Sequence, residues 1–275
     1  MRATPLEHGV LVRVRGTSAE KVKFHLGEHT RRRLLSILSP LGLLVLWQVL
    51  VMVHVLDNRF FPTPTAIVVQ AYHDILSGQL QNDLKVSLIR IVLGFLAGAI
   101  PGVILGISMG LFKPLRVVLE PIVASTYPIP KLALLPLIML MFGLGETEKV
   151  VIILLGVIFP VLINSAAGVL QLDKNYMEVA KSFGASRKDY YTTVAIPGAL
   201  PMIFTGLKLG AGMALLLIVA AEMEGASAGI GYRIWISYSV FQITDMYVSF
   251  IIMALLGYIF SLLLDEIEAW VVPWK

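Results

Sequence analysis

The sequence contains no cysteine, which excludes disulfides, thiolate metal sites and a cysteine nucleophile. Charge is scarce too. Only 15% of the 275 residues are Asp, Glu, Lys or Arg, against about 25% in soluble domains. No G-x-x-x-x-G-K-[ST] run occurs, so the loop that cradles nucleotide phosphates in P-loop ATPases is missing. The first apolar run follows Arg31, Arg32 and Arg33 and has no small-x-small cleavage site. It is too long for a secretory signal and reads as an uncleaved anchor.

Apolar residues are abundant, at 57% of the chain, and mean hydropathy is +0.83. About 20 such residues in a helix cross the ~30 Å hydrocarbon layer of a bilayer. Six runs qualify, at 34–56, 88–112, 117–142, 149–170, 200–222 and 246–270. None shows the alternating pattern of a barrel strand. The predicted fold is an all-α integral membrane protein with about six transmembrane helices.

Basic residues set the orientation. With the N-terminus in the cytoplasm, Arg31–Arg33, Lys113, Arg116, Lys174, Lys181, Arg187, Lys188 and Lys275 lie inside. Only Arg59, Lys85, Lys149 and Arg233 lie outside, among more numerous acids. This asymmetry places both termini inside. It also accounts for the net charge of +4 without nucleic acid as a partner. Residues 1–33 read as a cytoplasmic extension containing "VLVRVR", and 34–275 as the membrane domain. Residues 57–87 form an external connection with turns at Pro62 and Pro64, followed by an amphipathic interfacial helix.

Several residues stand out within the spans. Gly94, Gly98, Gly102, Gly106 and Gly110 repeat every fourth position, and Gly206 and Gly210 do the same. Such smooth faces admit a neighbouring backbone, inside one bundle or between subunits. Pro121, Pro128, Pro130 and Pro136 break the third span, and breaks at membrane depth need protein or a watery cavity to satisfy the freed carbonyls. Lys131 lies in this stretch and either snorkels to the interface or lines a conduit and attracts anions. Asn164, near Pro160, bonds to exposed backbone or touches solute, and Glu222 takes a gating or structural role with Arg233 as its expected partner. Lys131, Asn164 and Glu222 are therefore the candidates for the translocation path.

A charged interruption, "EVAKSFGASRKDYYTTVAIPGALP", separates the fourth and fifth runs. Asn175 with Glu178 forms a predicted capping box, opening a helix from about Tyr176 to Phe183. Gly184 suits a left-handed stop. Ser186 with Asp189 restarts a second helix, reaching about Val194, and Pro197 and Pro201 precede the next span. A helix-turn-helix DNA reader would need a third helix and room for a duplex, and the membrane begins close by on both sides. "GASAG" around Ser227 matches a G-x-S-x-G pattern, yet it has neither a strand–turn–helix elbow nor a histidine well inside a span. A surface suited to insertion in another protein's groove is the remaining reading.

Here the chain resembles a known family. Glu178-Val179-Ala180, Gly184, and Val194-x-Ile196-Pro197 are similar to the EAA loop of ABC importer permeases, the binding-protein-dependent transport family. Val179, Val194 and Ile196 are conservative departures from its Glu-Ala-Ala…Gly…Ile-x-Leu-Pro pattern. From about residue 60 onward, "YPIPKLALLPLIMLMFGLGETEK" and "AAEMEGASAGIG" look like the nitrate, taurine and alkanesulfonate subgroup. The resemblance implies a type I importer permease with its core at about 86–270 and a cytoplasmic coupling loop at about 173–197. Glu178, Val179, Ala180, Phe183, Gly184, Arg187 and Pro197 would serve ATPase coupling. It implies two cytoplasmic ATP-binding subunits that bind ATP and magnesium, with no cofactor on this chain. It further implies a second, identical permease chain and an external solute-binding protein. The cargo would be a sulfonate, nitrate or bicarbonate, with a pyrimidine or other small organic solute as the alternative. The remaining class is an ATP-independent channel or proton-coupled carrier.

Overall fold

The computed structural model describes residues 28–274. The expected extension lies outside the described residues through residue 27. The chain divides between Leu46 and Trp47 into two units, and the packing below concerns the second. Helix α1, Glu28–Met52, crosses that division and is apolar over Leu38–Met52. Helix α2, Pro64–Ser77, starts at Thr63, whose hydroxyl accepts from the Ala66 amide, and stops at Gly78 in the left-handed region. Its exposed face carries Val68, Val69, Tyr72, Ile75 and Leu76, while Ile67 and Asp74 turn inward, as an interfacial helix requires.

Among the described residues four helices, all after α2, are long and apolar enough to cross a membrane. They are α3 (Gln79–Leu111), α6 (Glu146–Leu170), α9 (Ile196–Met223) and α11 (Ile243–Val271). The predicted third run becomes α4, Lys113–Thr126, and α5, Leu135–Phe142, with a 3-10 turn at Lys131–Leu134. The two halves meet at 85°, so this pair is a broken span or a re-entrant loop. The short α10, Ile230–Ser239, joins α9 to α11.

Helix α6 is the centre of the packing. Ile152, Ile153, Val157 and Val161 on it have no exposed surface. All five glycines of the α3 stripe face it. A Cβ on Gly98 would lie 2.7 Å from the Leu154 carbonyl oxygen and 2.9 Å from the Val157 Cβ. One on Gly102 would lie 3.0 Å from the Ile158 carbonyl. On the other side, Gly206 of α9 lies against Asn164 and Pro160, and Gly210 against Val157 and Val161. Both glycine stripes therefore serve packing within the chain, with backbone meeting backbone on each side of α6.

A Gly98→Leu substitution should overpack the α3–α6 contact and cost about 1–3 kcal/mol. Gly212→Ala, where nothing lies within 4 Å, serves as its control. Thermal unfolding in detergent micelles should show a lower midpoint for the first and no loss for the second. Equal midpoints would place the helix contact elsewhere.

Candidate functional site

Between α6 and α9 the chain leaves the bundle. Helix α7, Lys174–Ser182, begins at Asp173, whose carboxylate accepts from the Asn175 amide at 2.9 Å. The start therefore precedes the Asn175–Glu178 box expected from sequence, because the aspartate two residues earlier takes the free amide. Glu178 is exposed, as are Tyr176, Met177 and Val179, and Phe183 stands 86% exposed. Gly184 has φ +72°, the left-handed conformation that reverses the chain with nothing within 4 Å of its Cα face.

The second helix opens as expected. Ser186 Oγ accepts from the Asp189 amide, and Asp189 accepts from the Ser186 amide at 3.0 Å, starting α8, Arg187–Tyr190. It does not reach Val194 as an α-helix. A π turn, Tyr191–Ala195, intervenes and runs directly into α9, with Pro197 in its first turn. Such π turns recur at functional sites. A groove of about 270 Å3 between α7 and α8 is lined by Met177, Ala180, Arg187 and Tyr190 among others. Tyr191 packs edge-on against Phe112, ring centroids 6.0 Å apart, at the α3–α4 junction. Glu178, Val179, Ala180, Phe183, Gly184 and Arg187, the residues expected to serve coupling, thus lie in one exposed helix–turn–helix segment, and Pro197 lies in the first turn of α9 that follows it.

The opposite end of the bundle holds buried charge. Glu222, fully buried near the end of α9, does not pair with Arg233 as expected. Its carboxylate accepts from Arg90 of α3 at 2.8 Å, from the Ser87 hydroxyl at 2.8 Å and from the Gly231 amide at 2.9 Å. Arg90 also donates to the Ala228 carbonyl and to both oxygens of Glu146 on α6. One guanidinium thereby ties three helices and the turn after α9. Its fork of donors suits this bidentate arrangement.

Arg233 on α10 joins a second cluster, with Asp245 of α11 at 2.5 Å and Asp74 of α2 at 2.7 Å. Burial, reinforced by the adjacent Asp245 carboxyl, holds the Asp74 carboxyl above its usual range against the pull of Arg233.

Lys131 adopts neither arrangement weighed from sequence. It is 8% exposed. Its ammonium donates to the carbonyls of Thr126, Tyr127 and Ile129 at 2.9, 3.3 and 3.0 Å and lies 4.4 Å from the Phe159 ring centroid. It satisfies the carbonyls that the break frees. Asn164 donates to the Pro160 carbonyl one turn earlier in α6 at 2.8 Å, a local side-chain bond to its own helix backbone.

Two charged groups escaped the reading of the sequence. Arg90 was counted inside an apolar run, and its partner Glu222 is 132 residues distant. Lys208 on α9, bound to Asp265 and Glu268 on α11, was likewise submerged in a run. A cation inside an apolar run is the signal that exposes both.

Long apolar helices and an 85° bent helix pair are the architecture of an integral membrane protein. The chain belongs to the family described as the binding-protein-dependent transport system inner membrane component, whose model matches residues 102–275. It is 33% identical over 251 residues to the taurine transport system permease protein TauC of Escherichia coli (strain K12), covering 89% of this chain and 91% of that one. The nitrate import permease protein NrtB of Synechocystis sp. is 32% identical over 240 residues, covering 84% and 86% respectively. The fold is similar to that of a chain of the MetNI methionine ABC transporter in an inward-facing conformation, with a TM-score of 0.59 at 18% identity. That match covers 72% of this chain and 97% of the other.

Removing Arg90 would strand the Glu222 carboxylate. Arg90→Leu should cost about 3–5 kcal/mol, whereas Arg90→Leu with Glu222→Leu should recover much of the loss. Folded yield and melting in micelles read both. A single variant as stable as the parent would show that the ion pair holds nothing together.

Proposed function

We propose that this chain is the membrane permease subunit of an ATP-driven importer for a small oxyanion of the sulfonate, taurine, nitrate or bicarbonate kind. The observation that carries the reading is the α7 turn. It is a short helix with an exposed Phe183, hinged at Gly184 and continuous through a π turn with α9, and it bears the EAA-like pattern. Helices that dock into a partner's groove present such knobs. The relatives named for taurine and nitrate support an anionic cargo with oxygen acceptors.

In this reading two cytoplasmic subunits bind ATP and magnesium and grip α7 of each permease copy. Two identical copies enclose the path, and an external binding protein delivers the cargo. The bundle sits in the inner membrane with both termini and α7 in the cytoplasm. When nucleotide closes the ATPase pair, α7 moves inward and draws the ends of α6 and α9 with it, so the path opens outward. Hydrolysis reverses the motion. This is alternating access by rigid-body movement around a fixed site. Lys131 keeps the irregular backbone at the α4–α5 break satisfied while the helices move, and the Arg90–Glu222 clasp holds the opposite end together.

Glu178→Lys reverses charge on the docking face, and Gly184→Leu forces a side chain into a left-handed backbone. Each should lower ATP-driven uptake in proteoliposomes at least tenfold, about 1.4 kcal/mol or more of lost coupling, with membrane insertion intact. Each should also weaken copurification with the ATPase subunit. Normal uptake and copurification by both variants would sink the docking assignment, and uptake by the parent without ATP would favour a channel or carrier.

A further inference from the structure

Lys208 has no part in the scheme above, yet it is a lysine within a membrane-spanning helix, in the half of α9 nearer the α7 turn. From Pro197 at the root of the coupling turn, it lies about 16 Å along α9 at the helical rise per residue. Its ammonium is ion-paired with Asp265 and lies 2.5 Å from Glu268 of α11. Those carboxylates are three residues apart, so they share one face of α11. The triad sits at the end of the bundle that carries α7, because α9 leaves from that end and α11 returns to it.

The surroundings make this contact unusual. Only 17% of the most apolar stretch of α11 is buried within the protein, against 50% for α6. Phe260 and Leu264 of α11 touch the core, but apolar contacts in a bilayer gain little over contact with lipid. Polar ties hold α11 at its start, where Asp245 pairs with Arg233 of α10, so it is the C-terminal half that depends on the triad for a polar link to α9. An ion triad differs, since drawing Lys208 away from Asp265 and Glu268 would leave its ammonium poorly solvated among apolar helices. The Asp265 side chain is 52% exposed and that of Lys208 29%. The group therefore lies at the border of the chain, where α9 and α11 can part.

Resting on the importer reading, we infer that the Lys208–Asp265–Glu268 triad makes α11 follow α9 through the transport cycle, with Lys208 as the positioning residue. Motion delivered to α7 passes through α8 and the π turn into α9, and Lys208 carries it across to α11. The acidic end of α11 gains from the arrangement as well. Asp265 and Glu268 lie near a helix C-terminus, where negative charge is disfavoured, and Lys208 offsets them from the neighbouring helix.

The test uses the complete transporter in proteoliposomes. Lys208→Met alone removes the cation that Asp265 and Glu268 share, so the informative variant combines Lys208→Met, Asp265→Asn and Glu268→Gln, with Lys208→Arg as the conservative comparison. The triple variant should insert and hydrolyse ATP near the parent rate. Its solute moved per ATP should fall about fivefold or more, within the usual range of coupling factors, while Lys208→Arg stays close to the parent. Spin labels at Leu209→Cys and Leu262→Cys, on a chain with no other cysteine, should keep one separation with and without nucleotide in the parent background. In the triple variant that separation should broaden. The inference is overturned if the triple variant transports as efficiently per ATP as the parent, or if the parent's label distance changes with nucleotide. Absence of ATP-driven uptake by the parent complex sinks the importer reading itself, and this inference with it.

Discussion

Close approach of helix backbones around α6 is the constraint on which the other features depend. In a bilayer the hydrophobic effect does not press helices together, because lipid tails are as apolar as leucine. What remains is contact at short range, and glycine permits it. The α3 stripe and the Gly206–Gly210 pair set two backbones against α6 from opposite sides. Once those three helices are locked, their ends are placed: Ser87, Arg90, Glu146 and Glu222 meet at one end. The ends of α6 and α9 that carry the α7 turn are held at the other.

The two ends differ in a way that suits a moving part. At the Arg90 end, charges are buried, multiply bonded and shared among α3, α6, α9 and the turn into α10. Opening that cluster would expose several unpaired groups at once, so it behaves as a pivot. At the α7 end the polar groups are exposed, the helix ends at a left-handed glycine, and a π turn replaces regular helix. Few buried contacts and an irregular turn are the marks of a segment that moves at low cost. In the proposed importer, a tight pivot at one end and a loosely held turn at the other would make a lever, with α9 as its arm.

Much of this was legible in the sequence, and what was legible was local. The apolar runs give the long helices, the four-residue glycine spacing gives the close faces, and the prolines give the 85° break. The Ser186–Asp189 box and the left-handed Gly184 follow from side chains within a few residues of each other. The coupling turn stood out because charge interrupts a greasy chain there. What was hidden was long-range pairing. The expected partner of Glu222 was Arg233, near in sequence, yet Arg90 takes that place because rotation of α3 and α9 about α6 brings it there. Lys208 passed unnoticed inside its apolar run for the same reason, its partners lying on α11. Lys131 was read as reaching for water or solute, whereas the carbonyls exposed by its own broken helix lie closer.

The claim that matters most is that α7 is the part a cytoplasmic ATPase holds. Because the chain has no cysteine, single cysteines can be placed along residues 176–191 and their reaction with a water-soluble maleimide compared with and without the ATPase subunit. Protection centred on Met177, Val179 and Phe183, changing when nucleotide is added, is the expected result. Labelling at those three positions as fast in the assembled complex as in the free chain would contradict it.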